Sequence, residues 1–163
     1  MSLGNTSRWL FKEVQVGINE KFLREAHTQM PIQLEFHHEN CGVIYRCLSA
    51  EHFSGAKRQL LDAPARMRNV KYIIVDAASM VPQYVSPGEM DRMVLQDRQI
   101  ASFVAEGLIV AFVAKSNGVL GFARMWEAFI EGIEWETKVV PTIEEAEDWV
   151  RLRVRDKFGL EIP

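Results

Sequence analysis

Asp76 closes the apolar run "YIIVD", and the stretch after it, "AASMVPQYVSPGE", carries Ser79, Met80, Tyr84, Ser86 and Gly88. A serine beyond a strand-end carboxylate has two uses. Ser86 can receive a phosphoryl group. It can also start a helix, because Ser at the N-cap, Pro87 at the first helical position and Glu89 at the third form a capping box. Both uses draw on the same physics: the free N–H groups and positive end of a helix suit a hydroxyl oxygen, and they equally suit a phosphate adding about −2 charge. Asp76 divides in the same way. It caps its own loop by accepting backbone N–H bonds, or it positions a ligand in a crevice at the carboxyl edge of a sheet. Ser79 poses a weaker form of that question.

Other chemistry-bearing residues are less well arranged. His37-His38-x-x-Cys41 has metal-ligating types, but neighbours on a strand face opposite ways, so both imidazoles reach one ion only across a bulge. A structural zinc site wants four ligands, and only His27, His52 and Cys47 remain to help, so no metal site is expected. Cys41 and His52 form no recognisable nucleophile–base motif. Free thiols are expected, because a turn at "HENCG" puts Cys41 at its tip and Cys47 well along the next strand. "SNGVLG" (116–121) joins a strand to a helix without either phosphate-loop pattern and reads as a turn that starts the helix.

The elements that position these residues follow from periodicity. Ile32, Leu34 and Phe36 alternate with polar residues, "HENCG" supplies a turn, and "VIYRCLS" is rich in strand formers, so residues 31–49 read as a hairpin. Ser49 caps a helix in which Phe53, Ala56, Leu60 and Leu61 share a face, with Pro64 helping to close it. "YIIV" (72–75) and "LIVAFVA" (108–114) are continuous apolar runs, the mark of parallel strands covered on both faces. Between them a helix over 87–106 buries Met90, Met93, Val94, Ile100, Ala101 and Val104 and turns Asp91, Arg92, Arg98 and Gln99 to water. A broad apolar stripe containing Phe122, Trp126, Phe129, Ile130 and Ile133 follows, then the short strand "WETKVV" and a last helix opening at Thr142 and ending near Gly159. The spacing therefore predicts an α/β sandwich, order β-β-α-β-α-β-α-β-α, with a mixed sheet of four to five strands, a parallel centre and an opening β-hairpin. Residues 1–30, with Trp9, Leu10 and Phe11, read as an amphipathic appendage to a domain over 31–163; its aromatics need cover from the domain or from a second copy.

Composition bounds the function. With 163 residues, 48% hydrophobic and 25% charged, the chain is an ordinary globular one. A net charge of −3 argues against general nucleic-acid binding, which needs clustered Lys and Arg. No apolar run approaches the roughly 20 residues of a membrane span, and no signal-peptide pattern opens the chain, so a cytoplasmic protein is expected. Nothing in the pattern asks for a cofactor.

The order of elements from about residue 31 to 155, "YIIVDAAS" at a strand end and the closing "WETKVVPTIEEAEDWV" resemble STAS domains, in particular the stand-alone bacterial SpoIIAA-like branch. In signalling members of that family the strand-end Asp precedes an Asp-Ser-Ser-Gly motif, one serine of which a partner kinase phosphorylates to switch binding partners. The resemblance sets Asp76 at the strand-end position and Ser86 and Gly88 in the motif, with Tyr84 or Val85 in place of its Asp, a single Ser, and Pro87 inserted. It implies a non-enzymatic interaction or regulatory module, with a protein partner or a homodimer. The alternative is a carrier or sensor of a small apolar ligand, held near Met80, Phe122, Met125, Trp126 and Phe129. A third reading, an enzyme, would need ionisable groups gathered around Asp76.

Overall fold

The computed structural model describes residues 32–163; the expected appendage over 1–30 lies outside the described residues. Five strands, β1 (Leu34–His37), β2 (Gly42–Arg46), β3 (Tyr72–Asp76), β4 (Ile109–Val113) and β5 (Glu136–Val140), lie side by side in that order. β1 runs antiparallel to β2, with Leu34 opposite Tyr45 and His37 opposite Gly42, and every later pairing is parallel. The helices are α1 (Ala50–Leu61), α2 (Pro64–Met67), α3 (Pro87–Ala101), α4 (Asn117–Phe129) and α5 (Ile143–Phe158). The mixed α/β sandwich with an opening hairpin is the expected one.

Several boundaries differ from expectation: the helical stripe expected to run through Ile133 ends at Phe129, and two others have a visible cause. Pro64 opens the one-turn helix α2 instead of closing α1, since a proline at the first helical position loses no intrahelical bond. α3 stops at Ala101 rather than near 106: the Ser102 hydroxyl donates to the Gln99 carbonyl at 2.6 Å, taking an acceptor the ladder would have used.

Because each strand from β2 to β5 steps one place along the sheet, crossovers of one hand leave α1, α3 and α4 on a single face. α5 follows the last strand and covers the other face. Alternation then sorts the side chains. Val43, Tyr45, Ile73, Val75, Val110 and Phe112 meet the three-helix layer, while Ile44, Tyr72, Ile74, Ile109 and Val113 meet α5. On the three-helix side Phe53, Phe112, Phe122 and Trp126 interlock, with Phe53 edge-on to Phe122 at 5.3 Å and to Trp126 at 6.1 Å.

A charged pair sits inside that layer. Lys57 of α1 and Asp97 of α3 are each 2% exposed, and Lys57 Nζ lies 2.6 Å from Asp97 Oδ2. The Trp126 indole of α4 donates to the same oxygen at 2.9 Å, and the ammonium stands 3.6 Å from the centre of the Phe53 ring. Burial, set against the pull of Asp97, pushes the lysine below its ordinary range. Removing one partner strands the other charge in an apolar layer, which costs on the order of 3–5 kcal/mol, whereas replacing both with apolar residues of similar size is close to neutral. Lys57→Met alone is expected to lower unfolding free energy by about that amount, and Lys57→Met with Asp97→Leu to recover part of it, the remainder being about 1–3 kcal/mol for the buried Trp126 N–H left without its acceptor. Urea denaturation of the two variants checks this.

At the far side Glu136 of β5 accepts from Arg153 Nε at 2.6 Å and lies 2.8 Å from Lys157 Nζ, both on α5. The Arg153 hydrogen bond, with help from Lys157, holds the Glu136 carboxyl below the usual carboxylate range. A carboxylate depressed in the folded state adds stability above its unfolded pKa, and that stability disappears as pH falls through the folded value. Glu136→Gln is expected to lower the urea midpoint at about pH 7, and the gap to the parent protein is expected to shrink as pH falls through the acid range.

Candidate functional site

Every strand of the parallel set points its carboxyl end at the same edge, and the segment from Ala77 to Ser86 runs along that edge. It is tied down at each step. Ala77 N–H donates to the Val113 carbonyl at 3.1 Å, Asp76 Oδ1 accepts from Ala78 N–H at 3.2 Å, and Val81 N–H donates to the Leu48 carbonyl at 3.2 Å. Met80 and Val85 are buried, anchoring both halves. Between them Pro82 presses on Gly118 in the first turn of α4, where any Cβ would collide with the proline ring. Glycine is required at 118 for that approach, and so the "SNG" turn at α4 acquires a reason that its own sequence does not display.

The segment ends in a complete capping box. Ser86 Oγ accepts from Glu89 N–H at 3.2 Å, and Glu89 Oε2 accepts from Ser86 N–H at 2.7 Å. That backbone donor holds the Glu89 carboxyl below the usual carboxylate range. Asp76 performs the loop-capping role, with Arg46 Nε 4.0 Å away as its charged neighbour. Ser79 and Gly88 are exposed, Ser86 is half-buried, and Tyr84 is 86% exposed. Val81, which sequence reading passed over, is 48% exposed on the same loop, and Leu95 is 53% exposed on α3.

The five residues expected around an apolar ligand are distributed differently. Phe122 and Trp126 belong to the interlocked core, Met80 is buried under the loop, and Met125 and Phe129 are half-buried against the core. Of the five, Trp126 alone lines the void beside the Lys57–Asp97 pair, and that void is about 10 Å³. The histidine–cysteine group also separates. His37 Nε2 lies 3.3 Å from Glu35, and His38 turns to Tyr72. Cys41 precedes β2 while His52 sits in the first turn of α1 beyond it, so the two are at opposite edges of the sheet. Cys47 is a free, buried thiol that burial pushes up to about 12. Among the described residues no group of three or more metal-ligating side chains gathers, and no helix is long and apolar enough to cross a membrane.

Comparison with protein-family models, with curated proteins and with solved structures found no significant match to this chain.

The capping geometry sets the worth of Ser86. Ser86→Ala is expected to cost about 1 kcal/mol, and Ser86→Asp only a few tenths, since aspartate caps about as well as serine. Chemical denaturation distinguishes the two.

Proposed function

We propose that the chain is a non-enzymatic, STAS-like interaction or regulatory module that meets a protein partner through the loop leading into α3. Tyr84 carries this reading. It stands 86% exposed on a backbone whose flanks are bonded to neighbouring loops and whose middle rests on Gly118. An aromatic held outward on a fixed backbone gives up little conformational entropy when covered, and tyrosine is enriched at the centres of interfaces. Val81 beside it extends the apolar contact. The resemblance of the element order to STAS domains supports the same surface, because Ser86 and Gly88 fall where that family engages its partners.

The partner is another polypeptide, a second copy of the chain included. A photo-crosslinking amino acid at position 84 should yield one discrete adduct in an extract of the native host, or a covalent dimer of the purified protein, and Val81→Asp should abolish it. The reading fails if position 84 forms no discrete adduct and sedimentation shows a monomer at every concentration. In the kinase-controlled form, intact mass of protein from its native host shows a phosphate that Ser86→Ala removes. A mass without phosphate under all growth conditions rules that form out.

A further inference from the structure

β5 is the last strand of the sheet, and its backbone meets β4 only at every second residue. Glu136 N–H donates to the Leu108 carbonyl at 2.9 Å, and the Val140 carbonyl accepts from Ala114 N–H at 2.9 Å. With Lys138 paired to Ala111 between them, the parallel ladder takes the backbone of residues 136, 138 and 140 and turns the N–H and C=O groups of Thr137 and Val139 away from the sheet. Among the described residues no acceptor meets either N–H. Two donors and two acceptors in one row are what a further strand pairs with.

One face of that edge is a groove. Thr137 and Val139 turn their side chains to the α4 side, where Val139 packs on the core and Thr137 Oγ1 donates to Glu127 Oε1 at 3.0 Å. A cavity of about 460 Å³ starts at Thr137 and is walled by the end of α4 and the loop into β5, with Ile130, Ile133 and Trp135 as its apolar members. Its charged members are Glu127 and Glu131, and no Lys or Arg lines it among the described residues. The C-terminal end of α4, at Phe129, adds a partial negative charge. Arg98 donates to the Phe129 carbonyl at 3.4 Å and lines the adjoining cavity, in company with Glu106 and Glu134. Lys138 belongs to the other face, its ammonium 5.8 Å from the centre of the Trp149 ring.

We propose that the free edge of β5 takes up an extended segment of a partner polypeptide as a further strand, and that this segment carries Lys or Arg on the side facing α4. Residues directly opposite each other in a sheet point to the same face. The side chain opposite Thr137 therefore reaches Glu127, and its neighbours two places along lie over Val139 on one side and Trp135 on the other. The residue between, opposite Lys138, faces the second side of the sheet and is not a base, since like charges directly opposite repel. Main-chain bonds supply the pairing and the acidic groove supplies the choice of segment. A second copy of the chain offering its own β5 would bring Glu127 and Glu131 toward the same acids, which disfavours it. The edge lies to the side of the Tyr84 loop, which follows the carboxyl ends of the strands, and the inference stands whether or not that loop has a partner.

The peptide acetyl-Lys-Thr-Val-Thr-Lys-amide, titrated into the isotopically labelled full chain and followed by amide NMR and hydrogen exchange, provides the test. In the free chain the Thr137 and Val139 amides are expected to exchange rapidly and those of Lys138 and Val140 slowly. The peptide should bind saturably at about 1 mM or better, shift the Thr137 and Val139 resonances, and slow the exchange of both amides at least about 10-fold at saturation. Replacing its two lysines by glutamate, or methylating every peptide nitrogen, should each weaken binding at least about 10-fold. Glu127→Gln with Glu131→Gln, which keeps an acceptor for Thr137 and removes only charge, should weaken it about 10-fold and flatten its dependence on salt. The proposal is overturned if the Thr137 and Val139 amides are already protected in the free chain, or if their protection rises with protein concentration alone, since the edge is then taken by the chain itself or by a second copy. It is equally overturned if the glutamate peptide binds as well as the lysine one, or if no saturable shift of Thr137 and Val139 appears up to about 10 mM. The exchange readout on the parent protein decides the matter even where a variant fails to fold.

Discussion

A lysine ammonium and an aspartate carboxylate 2.6 Å apart, closed off from water, set the relative positions of the helices on one side of the sheet. Lys57 comes from α1, Asp97 from α3, and the Trp126 indole that shares the same carboxylate oxygen comes from α4. Apolar packing alone tolerates small slides of one helix over another, because area burial has no direction. This network does not tolerate them. A slide of a few ångströms would separate ammonium, carboxylate and indole N–H inside an apolar layer, each then missing a partner. Burial outweighs the carboxylate's pull on Lys57 and drives its pKa down, so the pair is better understood as fixing one arrangement than as a net source of stability. Ser54 and Gln96, hydrogen-bonded at 3.0 Å one helical step away, register α1 against α3 a second time.

With the helices fixed, their first turns are fixed too. α1, α3, α4 and α5 all begin at the carboxyl edge of the sheet, under Ser49, Ser86, Ser116 and Thr142, and each of these hydroxyls accepts the backbone N–H three residues on. Four positive helix ends therefore converge on one edge, as open α/β sheets arrange them around anionic ligands. Here the donors that such a ligand would use are partly satisfied by the chain's own hydroxyls, and the 77–86 segment lies along the edge with Pro82 seated on Gly118. The edge is built to present the outer surface of that segment. Among the described residues the other edge has no such cover at the β1–β2 turn, where His38 and Lys71 border open volume.

Much of the architecture was legible in the sequence because it rests on local signals. Alternation marked β1, continuous apolar runs marked β3 and β4, and Ser86-Pro87-x-Glu89 announced a capping box that the side chains form in full. What escaped was long-range. Lys57 and Asp97 are single charges on amphipathic helices, and nothing within either helix marks them as facing each other 40 residues apart rather than facing water. Gly118 looked like part of a turn, and its actual constraint comes from a proline in another loop. In "HENCG" the turn was legible but its hand was not, since three successive non-glycine residues at positive φ are uncommon and Glu39 is not of a type that favours it. Tyr84 was named as a candidate, whereas the exposure of Val81 was not, because an apolar residue between Met80 and Pro82 reads as buried.

The capping box also constrains what Ser86 can do. A phosphate on Ser86 Oγ would occupy the space beside the Glu89 backbone N–H that the hydroxyl oxygen now fills, and a helix start welcomes that charge. The Glu89 carboxylate, however, is already bound to the Ser86 N–H at 2.7 Å, one residue's reach from the same oxygen. Like charges that close repel, so a phosphate would expel the Glu89 side chain and exchange one half of the box for its own bonds to the helix. The exchange would leave a strongly negative helix start directly after Tyr84 and Val85 while the buried Met80 and Val85 anchors stayed in place. Phosphorylation at this position would act by recharging a preformed surface, with the loop's fold unchanged.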